Sequence, residues 1–300
     1  MFTHSNYLSF IDKSHGGNLV KGHLECIPCF IRQALEAAKM TTDDERLIEK
    51  VLRETFSYIL HEKWNKNTAE IGTSIHRIVK RITKNNDPYK HLKIKYNQHA
   101  SNLYPKLQHL VEISNNPLLM AAKIATLGNA IDFGPKKEIE NLLDSNLAVN
   151  DIGQLEKSLS KFRNVLYLAD NAGETFFDRI LISELVKRKI NITYVVKNAP
   201  ILNDATVQDA ELAGIANMAK IMTTGTDCIG VLFKECSQEF LKEFDSNQLM
   251  ISKGQGNYES LSDIKNKEIY FILKVKCPII AESIDVKVGS IVLKKSLSFI

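Results

Sequence analysis

The chain has 300 residues, of which 44% are hydrophobic and 25% charged, with a formal net charge of +4. These values are ordinary for a soluble globular protein, and the length favours one large or two moderate domains. The sequence has no apolar run of about 18 residues, no dominant basic segment and no signal peptide pattern at its start. We therefore expect a cytoplasmic protein without a membrane or nucleic-acid partner.

Helical periodicity dominates the first part of the chain, from residue 25 to about 115. Apolar residues recur at helical spacing within 29–38, 47–60 and 71–82, and a further helical pattern covers 90–113. Helix-start residues at 42–45 and a turn sequence at 85–88 separate these patterns. We predict an all-helical N-terminal subdomain over residues 1–115.

The periodicity changes at about residue 160, where short β-rich runs begin to alternate with helical patterns. The predicted strands are Val165–Leu168, Ile192–Val196, Lys220–Thr224, Leu249–Ser252, Ile269–Val275 and Val286–Leu293. Strands that alternate with helices predict a mostly parallel sheet covered on both faces. The fold class is therefore α/β, with a second, α/β domain over residues 116–300.

Polar residues follow four of these predicted strands. Asp170 and Asn171 follow the first, Asp204 lies past the second, Asp227 follows the third and Lys253 follows the fourth. The carboxyl ends of parallel strands meet at one rim of a sheet, where ligands bind. Carboxylate and amide oxygens suit a hard divalent cation, and a lysine suits a phosphate. The pattern predicts a metal and phosphate site at this rim.

Each of these residues also has a purely structural interpretation. The acidic and amide residues after the strands could cap the helices that follow, and Lys253 could be a solvated turn residue. Glu174 could be a charge favoured at a helix start, and Asn129 and Asp132, which lie between glycines, could form turns.

The cysteines leave three interpretations open. The sequence contains five, an odd number that favours free thiols or a metal site over disulfides. Cys26-Ile-Pro-Cys29 opens a predicted helix, a position that lowers the pKa of a thiol. The pair could be buried structural thiols, part of a metal site with Cys277 and a histidine, or a redox pair. The sequence lacks HExxH, GxGxxG, GxxxxGK and GxSxG motifs.

Six stretches together resemble the domain-of-unknown-function 89 family, the damage-control phosphatases. They follow the family's order along nearly the whole chain: 25–29 (ECIPC), 128–134 (GNAIDFG), 168–174 (LADNAGE), 196–206 (VKNAPILNDAT), 252–257 (SKGQGN) and 273–277 (LKVKC). The cysteine pair is similar to that of the small archaeal and bacterial branch.

The resemblance implies a metal-dependent phosphatase with a Rossmann-like α/β/α domain and a helical N-terminal part. It implies that Asp170, Asn171 and Asp204 are the metal ligands. Lys253 and Lys276 are implied to contact the substrate phosphate. The implied catalytic residues are Lys253 and the three metal ligands. Asn129, Asp132 and Glu174 are implied to lie near the substrate. The implied cofactor is a divalent metal (Mg, Mn, Co or Ni), and the substrates are sugar phosphates or damaged phosphorylated intermediates.

Three hypotheses follow from the residues and the resemblance. The main one is a metal-dependent phosphomonoesterase in which metal and lysines offset the charge of the transferred phosphoryl group. Asp204 and Glu174 are candidates to orient the attacking water. The alternatives are a non-catalytic phosphometabolite-binding module and a thiol redox or metal protein using Cys26 and Cys29. The sequence is also compatible with a homo-oligomer.

Overall fold

The first half of the described chain is helical, as predicted. The computed structural model describes residues 22–62, 66–126 and 146–296. Its first helices are α1 (Ile27–Lys39), α2 (Glu45–His61), α3 (Thr68–Thr83), α4 (Lys90–Glu112) and α5 (Pro117–Thr126). Side-chain oxygens of Asp44 and Asn67 accept backbone hydrogen bonds at the starts of α2 and α3. Among the described helices, none combines the length and apolar character needed to cross a bilayer.

The second half forms one sheet of seven strands within the described residues. The strands are β1 (Val149–Asn150), β2 (Asn164–Leu168), β3 (Asn191–Val196), β4 (Lys220–Thr223), β5 (Leu249–Lys253), β6 (Glu268–Lys274) and β7 (Ile291–Lys295). Their order is β1-β7-β6-β5-β2-β3-β4, and every neighbouring pair is parallel except β6 with β7. The prediction of a mostly parallel α/β sheet is confirmed.

Helices connect these strands. They are α6 (Ile152–Lys161), α7 (Glu174–Lys187), α8 (Val207–Leu212), α9 (Gln238–Ser246), α10 (Gln255–Leu261) and α11 (Pro278–Ile284). The apolar residues of the sheet alternate between two buried clusters, one on each face. Tyr167 and Tyr194 pack on the same face as α7, whereas Leu166 and Val195 pack on the face of α9.

The N-terminal helices have a third core of their own, built from α1, α2 and α3. The long helix α4 packs its C-terminal half, at Leu107 and Val111, into the sheet core beside α7. The close approach of α4 to α7 requires Gly173, because a Cβ there would lie 2.9 Å from the carbonyl oxygen of Tyr96. The division of the chain at residue 115 stays a prediction.

The last predicted strand was placed too early. Residues 286–290 form a turn instead, with Gly289 at φ +90°, and β7 begins at Ile291. The alternation of apolar residues in this stretch resembled a strand, but a glycine in the left-handed region interrupts extended backbone.

Candidate active site

Two loops meet at the carboxyl end of the sheet, one after β2 and one after the neighbouring β3. The loop after β2 carries Asp170 and Asn171, and the backbone N–H of Ala205 donates to the carbonyl oxygen of Asp170 at 2.8 Å. Asn171 and Asp204 form an antiparallel bridge. Asp204 lies eight residues past the end of β3, so this backbone pairing, rather than a strand end, brings it beside Asp170.

A third loop, the one after β5, lies against Asp170. Gly254, directly after β5, has φ +81°, and a Cβ at this position would lie 2.1 Å from the Asp170 carboxyl group. The side chain of Asn257 donates to the carbonyl oxygens of Ala169 and Lys253 at 3.0 and 2.8 Å. The Lys-Gly-Gln-Gly-Asn loop therefore positions the first proposed ligand directly.

A buried charge network lies beneath these loops. The ammonium group of Lys253 is 2.9 Å from Glu174 Oε2 and 2.6 Å from Asp178 Oδ1. The hydroxyl groups of Tyr167 and Tyr194 donate to the two carboxylate oxygens of Asp178, each at 2.7 Å. Since all five side chains are almost fully buried, the network fixes the start of α7 against β2, β3 and β5.

Asn171 links this network to the surface of the site. Its Nδ2 donates to Asp170 Oδ2 at 3.0 Å and to Glu174 Oε1 at 2.7 Å. These two bonds orient the amide nitrogen toward the carboxylates and direct its oxygen away from them. An amide oxygen is a suitable ligand for a hard cation.

The site carries excess negative charge. Burial raises the pKa of Asp204 to about 7, with Lys197 lowering it and the charge of Asp170 raising it further. Burial likewise raises the pKa of Glu174 to about 7, although Lys253 opposes the shift. Burial acts to lower the pKa of Lys253, but Asp178 and Glu174 outweigh it and raise the pKa. A cation at this position would relieve the repulsion between the carboxylates.

Two functional candidates were missed from the sequence. Asp178 lies four residues after Glu174 on α7, a spacing that places two carboxylates on one buried helix face. Lys197 is buried at the end of β3, donates to the carbonyl oxygen of Gly230 at 2.5 Å and lies 3.7 Å from Asp204 Oδ2. The i, i+4 spacing was a readable signal for Asp178, whereas Lys197 required the tertiary structure.

The cleft above these residues has two lobes. The catalytic lobe, of about 550 Å³, is lined by Asp170 and Asp204 together with the starts of α1, α10 and α11. The aromatic lobe, of about 260 Å³, is lined by Glu36, Tyr89, Leu92, Tyr96, His99, Glu174 and Phe177. Asn171, Asn203 and Lys276 line both lobes, so the two lobes meet beside the proposed ligands.

The structure brings most of the predicted site residues together. Asp170, Asn171, Asp204 and Glu174 are adjacent, and Lys276 is exposed where the lobes meet. Lys253 reaches the site from below and is 1% exposed, so its contact with a phosphate stays a prediction.

The remaining predicted residues lie elsewhere. Asn129 and Asp132 fall outside the described residues. Asp227, expected at the same rim, pairs instead with Arg77 at 2.6 Å and Lys80 at 2.8 Å, both on α3. It ties the N-terminal helices to the sheet and lines neither lobe.

Comparisons with known proteins identify the family. A sequence profile of the damage-control phosphatase ARMT1-like domain matches residues 23–292. The chain belongs to this family. A damage-control phosphatase of Archaeoglobus fulgidus is 36% identical over 282 residues, covering 90% of this chain and 97% of the relative. A damage-control phosphatase of Pyrococcus horikoshii is 32% identical over 283 residues, covering 91% and 97%.

A further relative and a solved structure extend the comparison. An uncharacterized protein of Methanocaldococcus jannaschii is 42% identical over 299 residues, covering 94% of this chain and 98% of the relative. The crystal structure of a DUF89 family protein from Pyrococcus horikoshii superposes with a TM-score of 0.86 at 31% identity, covering 92% and 99%. The resemblance stated from the motifs is confirmed, and the family supports a phosphatase of phosphorylated metabolites.

The donor set of this damage-control phosphatase family member suits a hard divalent cation. Within the described part of the chain, no group of three or more His, Cys, Asp and Glu side chains is arranged as a metal site. The proposed set has two carboxylates and an amide, and burial raises the pKa of Asp204 although Lys197 opposes the shift. Oxygen donors with this charge fit Mg²⁺ or Mn²⁺ better than a thiophilic metal.

Proposed function

We propose that this protein is a metal-dependent phosphomonoesterase whose metal ligands are Asp170, Asn171 and Asp204. The observation that carries the proposal is the pairing of the loops after β2 and β3, which places two carboxylates and an oriented amide side by side. A divalent metal held there would supply positive charge to the phosphoryl oxygens and lower the pKa of a bound water. Mg, Mn, Co and Ni are the candidate metals.

The surrounding residues have separate roles in this proposal. Lys276, exposed where the lobes meet, offers a positive charge to the phosphate from the open side of the cleft. Lys253 lies on the buried side, where it holds Glu174 in position and adds positive charge below the site. It contacts the phosphate only by exchanging one of its two carboxylate partners.

Glu174 is the proposed general base. Its pKa of about 7 allows it to accept a proton from an attacking water near neutral pH, whereas an ordinary carboxylate is too weak a base. It lines the aromatic lobe and is hydrogen-bonded to Asn171, so it stands next to the proposed ligands. Asp204 remains a second candidate for orienting the water.

We propose that the leaving group occupies the aromatic lobe. The walls from Tyr89, Tyr96 and Phe177 offer flat apolar surface, while Glu36 offers an acceptor for hydroxyl groups. The lobe has a volume of about 260 Å³. These features favour a small polar leaving group such as a sugar, and a damaged phosphorylated intermediate of that size fits equally well.

The proposal is tested by Asp170→Asn, which keeps the side-chain size and removes the charge. Phosphate release is measured on a panel of phosphorylated metabolites with Mg²⁺, Mn²⁺, Co²⁺ and Ni²⁺ supplied separately. We expect metal-stimulated release from the native protein and a loss of at least 100-fold in the variant, about 2.7 kcal/mol of transition-state stabilisation.

The matched control is Asp44→Ala, which removes a carboxylate at the start of α2, away from the cleft. Its expected activity is unchanged, although losing the helix cap costs about 1 kcal/mol of stability. Full metal-stimulated activity in Asp170→Asn would show that the proposed ligand set is wrong. Metal binding without turnover of any phosphomonoester would favour a non-catalytic binding module.

A further inference from the structure

Three of the five cysteines lie in the wall of the catalytic lobe. Cys26 and Cys29 come from the start of α1, and Cys277 comes from the start of α11. All three are half-buried, whereas Cys228 and Cys236 are buried away from both lobes. The proposed phosphatase reaction uses none of these thiols.

The spacing of Cys26 and Cys29 permits a direct bond between them. Cys26 is the N-cap of α1, with helical backbone angles of φ −76° and ψ −21°, and Cys29 is the third residue of the helix. Residues three apart in helical backbone have Cα atoms about 5–6 Å apart, from the rise and radius of α- and 3₁₀-helices. Disulfides form at Cα separations of about 4.4–6.8 Å, so the bond needs no large backbone movement.

The two thiols have different surroundings. Gln33, one helical turn after Cys29, donates its Nε2 hydrogen to Cys29 Sγ at 3.2 Å. Burial raises the pKa of Cys26, and the nearby Glu259, Cys277 and Cys29 raise it further. Because these surroundings disfavour the Cys26 thiolate, we assign the first attack to Cys29, whose sulfur Gln33 holds in the wall of the lobe.

We propose that Cys26 and Cys29 form a thiol–disulfide exchange site that keeps the catalytic lobe free of bulky thiol adducts. A low-molecular-weight disulfide, RSSR, is the oxidant. The thiolate of Cys29 attacks one sulfur of RSSR, giving a Cys29–S–S–R mixed disulfide and releasing RS⁻, which takes up the proton lost by Cys29.

The second step clears the lobe. The thiolate of Cys26 attacks the Cys29 sulfur, forms the Cys26–Cys29 disulfide and expels the second RS⁻, which takes up the proton of Cys26. The protein loses two electrons and two protons, and RSSR becomes two RSH. The R group, which would otherwise occupy the lobe beside Asp170 and Asp204, is released.

The test uses the full chain with oxidised glutathione as RSSR. The native protein, once reduced, is incubated with it, the remaining thiols are alkylated, and peptides are mapped by mass spectrometry. We expect a Cys26–Cys29 disulfide and no lasting glutathione adduct. In Cys26→Ser the Cys26–Cys29 disulfide cannot form, so we expect a glutathione adduct to stay on Cys29.

Phosphate release provides the second readout. The trapped adduct in Cys26→Ser is expected to lower activity at least ten-fold relative to the same variant before oxidation, and dithiothreitol restores it. The native protein is expected to lose less than two-fold. The control variant Cys26→Ser/Cys29→Ser, which cannot be modified at either position, is expected to be insensitive to oxidised glutathione.

Two results would overturn the inference. One is a stable glutathione adduct, or a disulfide to Cys277, in the native protein under these conditions. The other is the absence of a glutathione adduct on Cys29 in the Cys26→Ser variant. Disulfide mapping does not depend on phosphatase activity. A Cys26–Cys29 disulfide in a protein with no turnover would therefore refute the proposed function and leave the inference about the thiols standing.

Discussion

Replacing Gly254 with alanine is the most specific test of how this site is built. Gly254 directly follows β5 and has φ +81° and ψ 164°, a region that is nearly restricted to glycine. A Cβ there would lie 2.1 Å from both Cγ and Oδ2 of Asp170. The substitution therefore acts on the first proposed metal ligand without changing any functional side chain.

The expected displacement follows from that distance. Side-chain carbons rarely approach other heavy atoms more closely than 3.0 Å, so the Asp170 carboxyl group must move by about 1 Å. Metal–oxygen distances in protein sites hold within about 0.2 Å, so this movement removes Asp170 from the coordination sphere. We expect metal affinity to fall at least ten-fold, and the backbone strain to cost about 1–3 kcal/mol of stability.

The assay is calorimetric titration of the folded variant with Mn²⁺ and Mg²⁺, together with thermal unfolding. Gly289→Ala is the matched control, because Gly289 has φ +90° and no heavy atom within 4 Å of an added Cβ. It also places a side chain at positive φ, but without a steric contact. Both variants are expected to lose stability, but only Gly254→Ala is expected to lose metal affinity. Equal metal affinity in the two variants would refute this account of the site.

Two further predictions concern the buried charges. The pKa values of Asp204 and Glu174 are about 7 in the folded protein, above the ordinary values of 3.8 and 4.5, so their protonated forms stabilise the metal-free fold. That stability is full below about pH 4 and is lost as pH rises through 7, whereas metal affinity rises over the same range. Burial lowers the pKa of His76 to about 3 from an ordinary 6.5, which makes stability rise with pH below about 6.5, so the trend is read between pH 6.5 and 8. Thermal unfolding at several pH values with and without Mn²⁺ checks both trends, and a metal-free protein that grows more stable in this window would contradict them. Lys253→Met leaves Glu174 and Asp178 buried without their cation and is expected to cost about 3–5 kcal/mol, measured by urea unfolding. Lys253→Met combined with Asp178→Asn should lose less stability than the sum of the two single variants, and a loss equal to that sum would show that the charges are not coupled.

Local sequence patterns predicted the framework of the fold. Strands β2, β3 and β5 are short runs of apolar and β-branched residues between turn residues, and their number and spacing indicated a parallel sheet. Asp170 and Asn171 were predicted because they directly follow a strand, where side chains of parallel sheets converge on ligands. Such features depend on neighbouring residues alone, so they can be read without a structure.

Other parts of the site depended on contacts between distant segments. Asp227 follows a strand just as Asp170 does, but two cations on α3 hold it away from the cleft. The position of Lys253 at the end of a strand was readable from the sequence, but its pairing with Glu174 and Asp178 was not. A sequence shows that a charged residue ends a strand, but not which opposite charges the tertiary structure brings to it.

The sequence by itself determined the α/β class, the family and the identity of the oxygen-bearing residues near one rim of the sheet. Only the tertiary structure decided how these residues are held. The pairing of Asn171 with Asp204 joins loops that are 33 residues apart, and Gly254 reaches Asp170 across 84 residues. The physical reason is that hydrogen bonds, steric contact and the pKa shifts of buried carboxylates depend on distances in space, which the order of residues does not contain.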